Sequence, residues 1–263
     1  MRQLAINLGA KRGVDTEAYI KKLHEVGFNA VLSDVPELHE LGRITELLAA
    51  NGMRYEMIHA PFGHINDIWL PGEGGDGMLA EMLTAVERAA MANCPTVVVH
   101  LTSGENPPTI TDIGRARYEI LVEYAARKNV KIAFENQRKL AGLAWAMENF
   151  AHAPNVGFCW DCGHEGCFGA GREHMPLFGD RLICTHLHEN DCVAGGDQHK
   201  LPFDGKLDFG RVARQLRESG YRGTLTLEAF AENTHTYDCM TWQVFLERAA
   251  MAAKRLRLMV DGF

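Results

Sequence analysis

The sequence predicts a single (β/α)8 barrel, also called a TIM barrel, over residues 1–263. Short runs rich in β-branched or apolar residues alternate with segments of helical periodicity, which is typical of a parallel sheet. Six of these runs end on His, Glu or Asp, as barrel strands do when they open into a polar pocket. The length of 263 residues matches the about 250 residues of one barrel, so no second domain is needed.

The first part of the chain supplies four predicted strands, at residues 4–8, 28–33, 54–59 and 96–100. Apolar residues at helical spacing predict the helices between them, at residues 16–26, 37–50 and 78–92. Gly27 and Asn51-Gly52 follow the first two helices as stop signals. Residues 61–76 form a long loop that contains Trp69. Two interpretations of it stay open: a lid over a pocket, or a surface excursion that packs its own Trp.

The second part supplies strands at residues 131–135, 156–161, 182–188 and 224–228. Helices are predicted at residues 112–128, 139–150, 209–219 and 237–258, while the glycine-rich residues 163–180 hold at most a short helix. Side chains alternate along a strand, so Ala133 and Glu135 point inward, Phe134 points outward, and Cys159 shares a face with Asp161. The whole count is eight strands with eight helix-like connections.

The composition is that of an ordinary globular protein, with 46% hydrophobic and 23% charged residues. A net charge of -7 disfavours a nucleic-acid or membrane footprint. We expect a cytoplasmic protein, because the first apolar run is too short for a signal peptide and no run approaches a bilayer span. The seven scattered cysteines indicate reduced thiols. Zinc or redox chemistry at Cys159-x-x-Cys162 is disfavoured, since no second Cys pair completes a four-ligand set.

The chemistry concentrates at the ends of strands three to eight. Because these ends meet at one mouth of a barrel, we expect six residues to converge there: His59, His100, Glu135, Asp161, His186 and Glu228. A single His or Glu at a strand end is usually a capping residue, but six strand ends with ligand-type residues are hard to obtain by chance. Three carboxylates and a histidine in one pocket would repel strongly without a cation. The set therefore predicts a divalent metal site.

Five motifs resemble the xylose-isomerase-like barrel superfamily, which holds sugar and sugar-phosphate isomerases and epimerases and also endonuclease IV. They are His59-Ala-Pro, Phe134-Glu135-Asn, Asp161-Cys-Gly-His164, His186-Leu-His-Glu189 and Leu227-Glu228. The resemblance covers nearly the whole chain. It implies that one Mn²⁺-type ion, with Zn²⁺, Co²⁺ or Mg²⁺ as alternatives, is held by Glu135, Asp161, His186 and Glu228.

The resemblance further implies an isomerase or epimerase that transfers a proton through an enediolate, with Glu135 and Glu228 as the two proton-transfer groups. Return of the proton to the opposite face would invert the centre, and return to the neighbouring carbon would isomerise the sugar. A sugar or sugar phosphate is the expected partner. We expect hydroxyl contacts from His59, His100, His164 and His188, and an apolar ring contact from Trp69 or Phe62.

Two alternatives use the same pocket. Endonuclease IV binds three zinc ions with nine ligands. This chain matches all nine when five residues are added to the four metal ligands above: His59, His100, His164, Asp197 and His199. DNA is disfavoured because residues 61–76 and 189–199 contain no Lys or Arg to position phosphates, which leaves Arg138 or Arg172 for that task. A dehydratase or lyase acting on a sugar acid would begin with the same proton abstraction. We also expect a homo-oligomer with the final helix as its contact.

Overall fold

The computed structural model describes residues 1–9 and 13–262, and these form a barrel of eight parallel strands. The strands are β1 (Leu4–Asn7), β2 (Ala30–Asp34), β3 (Arg54–His59), β4 (Thr96–Val99), β5 (Lys131–Glu135), β6 (Val156–Asp161), β7 (Leu182–His186) and β8 (Leu225–Leu227). Each lies within two residues of its predicted bounds, so the predicted fold class is confirmed.

The strands are ordered β7-β6-β5-β4-β3-β2-β1-β8, with parallel pairing between all neighbours. A parallel bridge between Leu187 and Leu227 joins the two outer strands, and the Leu187 amide donates to the Thr226 carbonyl at 2.9 Å. The sheet therefore closes on itself, which removes exposed edges and directs all eight carboxyl ends to one mouth.

Helices cover the outside of the barrel, as right-handed crossovers between parallel strands require. In the described residues they are α1 (Thr16–Val26), α2 (Leu38–Ala50), α3 (Glu73–Met91), α4 (Asp112–Arg127), α5 (Leu140–Asn149), α6 (Cys162–Phe168), α7 (Met175–Phe178), α8 (Phe209–Glu218) and α9 (Trp242–Asp261). The glycine-rich segment after β6 thus holds two short helices, α6 and α7. No helix in residues 1–9 and 13–262 is both long and apolar enough to cross a bilayer.

The core has two layers. Inside the barrel a small cluster contains Leu32, Met57, Val98, Ala133, Cys159 and Cys184. The larger outer cluster lies between strands and helices and includes Phe134 and Trp160. The predicted alternation of Ala133 and Phe134 is confirmed. Burial raises the pKa of the Cys159 and Cys162 thiols well above the ordinary value, which favours the thiol over the thiolate at neutral pH.

Helix α3 begins five residues before its predicted start, inside the glycine-rich segment. The buried guanidinium of Arg117 packs against the start of α3. It donates to the Asp76 carboxylate in the first turn at 2.7 Å, and to the Ile68 carbonyl at 2.8 Å and the Leu70 carbonyl at 2.6 Å just before the helix. A Cβ at Gly75 would overlap that guanidinium. Gly75 therefore permits close packing of Arg117 against the helix. The sequence prediction took this glycine-rich segment for a loop and so placed the helix start too late.

The final helix α9 begins at Trp242 and not at residue 237, because Thr241 caps it by accepting from the Val244 amide at 3.4 Å. A short 3-10 turn, His235–Tyr237, occupies the start of the predicted range. The helix ends at Asp261 and is followed by Gly262, whose φ of 86° suits glycine. The 20-residue helix packs along α1 and α8.

Candidate active site

A cavity of about 250 Å³ opens at the carboxyl ends of the strands. Its lining is rich in imidazole and carboxylate groups, and consists of His59, Phe62, His100, Ser103, Glu135, Gln137, Arg138, His164, Phe168, Asp197, His199 and Glu228. Asp161 and His186 lie just below its floor and have no exposed surface. The structure therefore brings the six predicted strand-end residues to one mouth.

Four of these residues form a compact centre: Glu135, Asp161, His186 and Glu228 each offer a ligand atom within 4.8 Å of the others. His186 Nδ1 lies 3.0 Å from Glu135 Oε1 and 3.3 Å from Glu228 Oε2. Asp161 is fixed by Asn136, whose Oδ1 accepts from the Asp161 amide at 2.8 Å and whose Nδ2 donates to the Asp161 carbonyl at 2.8 Å. Strands β5 and β6 are thereby locked together beneath the site.

The charges of this centre are tightly linked. Burial alone would raise the pKa of the Glu135 carboxyl, but His186 and His100 hold it well below its ordinary range. Burial would also raise the pKa of the Glu228 carboxyl, but His186 and His199 outweigh it and lower that pKa. Burial would lower the pKa of His186, whereas Glu228 and Glu135 raise it well above its ordinary value. The protein alone therefore carries a proton on His186 between two ionised carboxylates.

A second group lies beside the first and consists of His164, His188, Asp197 and His199. Asp197 Oδ2 is 3.2 Å from His164 Nε2 and 3.3 Å from His199 Nε2. Despite burial, Asp161 and Asp197 raise the pKa of His164 to about 10, and Asp197 and Glu228 raise the pKa of His199 to about 9. His199 Nδ1 donates to the Glu228 carbonyl at 2.9 Å, which fixes the ring with Nε2 toward Asp197.

His59 and His100 face the other oxygen of Glu135. His100 Nε2 lies 2.7 Å and His59 Nε2 lies 3.4 Å from Glu135 Oε2, while His186 engages Oε1. His59 Nδ1 donates to the Ala60 carbonyl at 2.8 Å, which sets its tautomer. Both rings line the cavity, so a bound molecule can reach them.

His188 does not line the cavity, contrary to its predicted substrate contact. Its Nε2 lies 3.0 Å from Asp161 Oδ1, its ring stacks on His199 at 4.0 Å, and no surface is exposed. A Cβ at Gly163 would overlap this ring, so the glycine after β6 makes room for it. His188 therefore orients Asp161 from below. Strand alternation gave its inward direction correctly, but not its depth.

Trp69 is also absent from the cavity, and the expectation that it packs against substrate is wrong. Its indole Nε1 donates to the Leu101 carbonyl at 2.7 Å, and its ring is wedged against Tyr118, Trp145 and the backbone of Gly114. The loop thus packs its own Trp, as the second of the two interpretations expected. Phe62, the alternative, does line the cavity, with its ring 4.3 Å from that of His100.

Comparison with known proteins identifies the family. The family model described as xylose isomerase-like TIM barrel matches residues 20–259, nearly the full chain. The chain belongs to the xylose isomerase-like TIM barrel family. An uncharacterized protein, y4fM of Sinorhizobium fredii, is 28% identical over 188 residues, which are 66% of this chain and 58% of that protein. The chain thus spans little more than half the length of this curated relative.

Solved structures of similar fold include two sugar epimerases. D-psicose 3-epimerase from Clostridium cellulolyticum H10, in a structure with D-tagatose, has a TM-score of 0.79 at 14% identity, over 98% of this chain and 99% of that one. The 3-keto-D-glucoside 4-epimerase YcjR from E. coli has a TM-score of 0.73 at 17% identity, over 98% and 99% of the two chains. At these identities the likeness concerns the fold.

Three cavity residues, Ser103, Gln137 and Phe168, went unnoticed in the sequence. Gln137 Nε2 lies 3.0 Å from His100 Nε2 and 3.2 Å from His164 Nδ1, so its amide links two imidazoles across the cavity. Phe168 forms one wall, with its ring 5.1 Å from that of His164. Gln137 lies two residues past Glu135, where the chain continues over the mouth. A search extended by two residues beyond each strand would have found it.

The compact centre fits a divalent cation by the chemistry of its donors. Three carboxylates and one imidazole suit ions that accept both oxygen and nitrogen. The separations of 3.0 and 3.3 Å from His186 Nδ1 to its two carboxylates match neighbouring donors around an ion with bonds of about 2.1 Å. Binding would require His186 to lose its proton. The donors present therefore fit a metal, whose identity they do not select.

Proposed function

We propose that the protein is a divalent-metal-dependent isomerase or epimerase of a sugar or sugar phosphate. The observation that carries the proposal is the pair of carboxylates, Glu135 and Glu228, which line one cavity and share the His186 imidazole between them. Similarity in fold to epimerases of D-psicose and of a 3-keto-D-glucoside supports it. Mn²⁺ is our first candidate for the ion, held by Glu135, Asp161, His186 and Glu228.

Glu135 and Glu228 transfer the proton in the proposed reaction. Both glutamates are ionised, because neighbouring imidazoles lower their pKa, and ionisation is the state that a proton acceptor requires. One glutamate removes the proton from the carbon beside the carbonyl and later releases it to water, and the other, after taking up a proton from water, returns that proton to the resulting enediolate. A bound divalent ion supplies polarisation of the substrate oxygens. Glu135 comes from β5 and Glu228 follows β8, so the two reach the substrate from different strands.

The remaining cavity residues orient the sugar. His59, His100 and His164 offer ring nitrogens to hydroxyl groups, and Phe62 offers an apolar face to the carbon side of the sugar. In the metal-free protein Asp161 and Asp197 raise the pKa of His164 to about 10, which favours the protonated ring, and a cationic donor stabilises negative charge that develops on an oxygen. Asp161 and His188 act from below by holding the centre in shape.

The test uses the Mn²⁺-loaded protein and a panel of ketoses and ketose phosphates in deuterated water. We expect deuterium at the carbon beside the carbonyl of at least one sugar, detected by NMR. Glu228→Gln should abolish the exchange, about 10²–10⁴-fold as for loss of a proton-transfer group, while the fold is kept. Bound metal is counted in the same samples, so that loss of metal is separated from loss of the proton-transfer group. Absence of exchange with every sugar, or full turnover by Glu228→Gln, would overturn the proposal.

A second candidate is a multi-zinc phosphodiesterase acting on abasic DNA. One observation favours it: the Asp197 carboxylate contacts both His164 and His199 beside the first centre, which gives a second group of ligand atoms. The net charge of -7 and the lack of Lys or Arg in residues 61–76 and 189–199 weigh against it. Cleavage of an abasic duplex by zinc-loaded protein would move this candidate to first place.

A further inference from the structure

Arg138 lies where the active-site cavity meets a neighbouring cavity of about 420 Å³, and together with Phe168 it lines both. The active-site cavity of about 250 Å³ is smaller than the about 300–1,000 Å³ that small-molecule sites usually occupy. A ligand seated on Glu135 and Glu228 that exceeds this space would extend past Arg138. The second cavity is thus the natural place for the far end of the substrate.

The Arg138 guanidinium is held in position by two contacts. Its central carbon lies 3.7 Å from the centroid of the Phe168 ring, a cation–π arrangement, and its Nε donates to Glu105 Oε1 at 3.0 Å. Within residues 1–9 and 13–262, its two terminal NH₂ groups make no hydrogen bond or ion pair. The side chain is 27% exposed, so those donors remain accessible. A fixed guanidinium with free terminal donors suits bidentate binding of an oxyanion.

Two more cations border the second cavity, Lys139 and Arg172. Neither has an ion-pair partner in the part of the chain that the structure describes. The chain as a whole has a net charge of -7, the nearby centre contains the carboxylates of Glu135, Asp161 and Glu228, and Asp197 lies in the second group beside it. Glu105, the partner of Arg138, also lines this cavity, but the three cations outnumber its single charge. They therefore offset the repulsion that an anionic ligand would otherwise meet beside so acidic a centre.

We propose that Arg138, with Lys139 and Arg172 around it, forms an oxyanion subsite for the end of the sugar that is remote from the reacting carbons. The substrate then carries a phosphate or a carboxylate at that end, and a neutral sugar is a poor ligand. This inference rests on the proposed function, because it takes the ligand of the active-site cavity to be a sugar.

The test compares binding of D-fructose, D-fructose 6-phosphate and D-glucuronate to the Mn²⁺-loaded protein by calorimetry. We expect an anionic sugar to bind at least about 10-fold more tightly than fructose. Arg138→Gln should weaken binding of that anionic sugar about 10- to 100-fold, as loss of charge-assisted hydrogen bonds does, and should affect fructose binding much less. Arg138→Lys should recover part of the loss, because it keeps the charge without the planar fork. Arg127→Gln, an exposed change of the same charge, is the matched control.

Tighter binding of D-fructose 6-phosphate identifies a phosphate as the oxyanion, and tighter binding of D-glucuronate identifies a carboxylate. Equal affinity of wild type and Arg138→Gln for all three sugars would overturn the subsite. If none of the sugars binds, inorganic phosphate is the probe, and binding that does not depend on Arg138 overturns it as well. Deuterium exchange in the same samples separates the two proposals. If anion binding depends on Arg138 but no sugar exchanges deuterium, the subsite is supported and the isomerase is refuted. If a sugar exchanges deuterium equally well with wild type and Arg138→Gln, the isomerase is supported and the subsite is refuted.

Discussion

Replacement of the buried Glu189 by Gln should change how stability depends on pH. Glu189 is fully buried, its Oε1 accepts from the amides of Asn190 at 3.1 Å and Leu207 at 2.7 Å, and its Oε2 has no hydrogen-bond partner in residues 1–9 and 13–262. Burial raises the pKa of this carboxyl to about 7, although the amides oppose the rise. A glutamine side chain at this position would keep an acceptor for both amides and remain neutral at every pH.

The size of the effect follows from the pKa shift. The folded pKa of about 7 exceeds the ordinary value of 4.5, so the protonated carboxyl stabilises the fold below pH 4.5, and that stability is lost as the pH rises through 7. A difference of about 2.5 units corresponds to roughly 3 kcal/mol at most. For a chain of 263 residues this equals about 6 °C in Tm. Glu189→Gln removes this loss.

The assay is guanidinium unfolding of metal-free wild type and Glu189→Gln at pH 4.5 and pH 8.5. We expect the free energy of unfolding of the variant, relative to wild type, to rise by about 2–3 kcal/mol between the two pH values. Glu123→Gln, an exposed change of the same chemistry on α4, should give no such rise. A relative stability that is constant with pH, or that falls, would refute the burial argument.

Three further predictions concern the site. Mn²⁺ binding should displace at least about one proton, since the pKa of His186 is raised, and the Kd for Mn²⁺ should fall about 10-fold for each unit of rising pH. Calorimetry in buffers of different ionisation enthalpy counts the released protons. Binding that releases no proton would contradict the ligand role of His186. Replacement of His59 and His100 by Ala should leave the number of bound ions unchanged, because both rings face Glu135 Oε2 while His186 faces Oε1; elemental analysis that finds a large loss would favour several ions. Gly163→Ala should weaken Mn²⁺ binding about 10-fold by pushing His188 against Asp161, whereas Gly77→Ala in open space on α3 should not, and equal affinities would contradict the positioning role of His188.

The barrel was predictable because its signals are local and repeated. Alternation places Glu135 and Asp161 on inward faces, and closure of a parallel barrel brings their strand ends together without any knowledge of the loops. The grouping of Glu135, Asp161, His186 and Glu228 within 4.8 Å agrees with that reasoning.

The departures from prediction arise from tertiary packing. Gly75 and Gly114 are needed because Arg117 and Trp69 press against their backbones, a cause that lies far away in sequence. Trp69 consequently belongs to the core and not to the pocket. His188 has the expected direction, but its depth depends on Gly163 in the helix that follows β6. Contacts between distant residues, which carry no periodic pattern, set these positions.

Elemental analysis of the purified protein is the most direct test of the proposed metal centre. We expect about one divalent ion per chain, at Glu135, Asp161, His186 and Glu228, that survives dialysis and is lost when His186 is replaced. The absence of any ion would contradict a metal-dependent reaction. About three zinc ions per chain would contradict the single-ion isomerase and identify the group around Asp197 as part of a larger metal cluster.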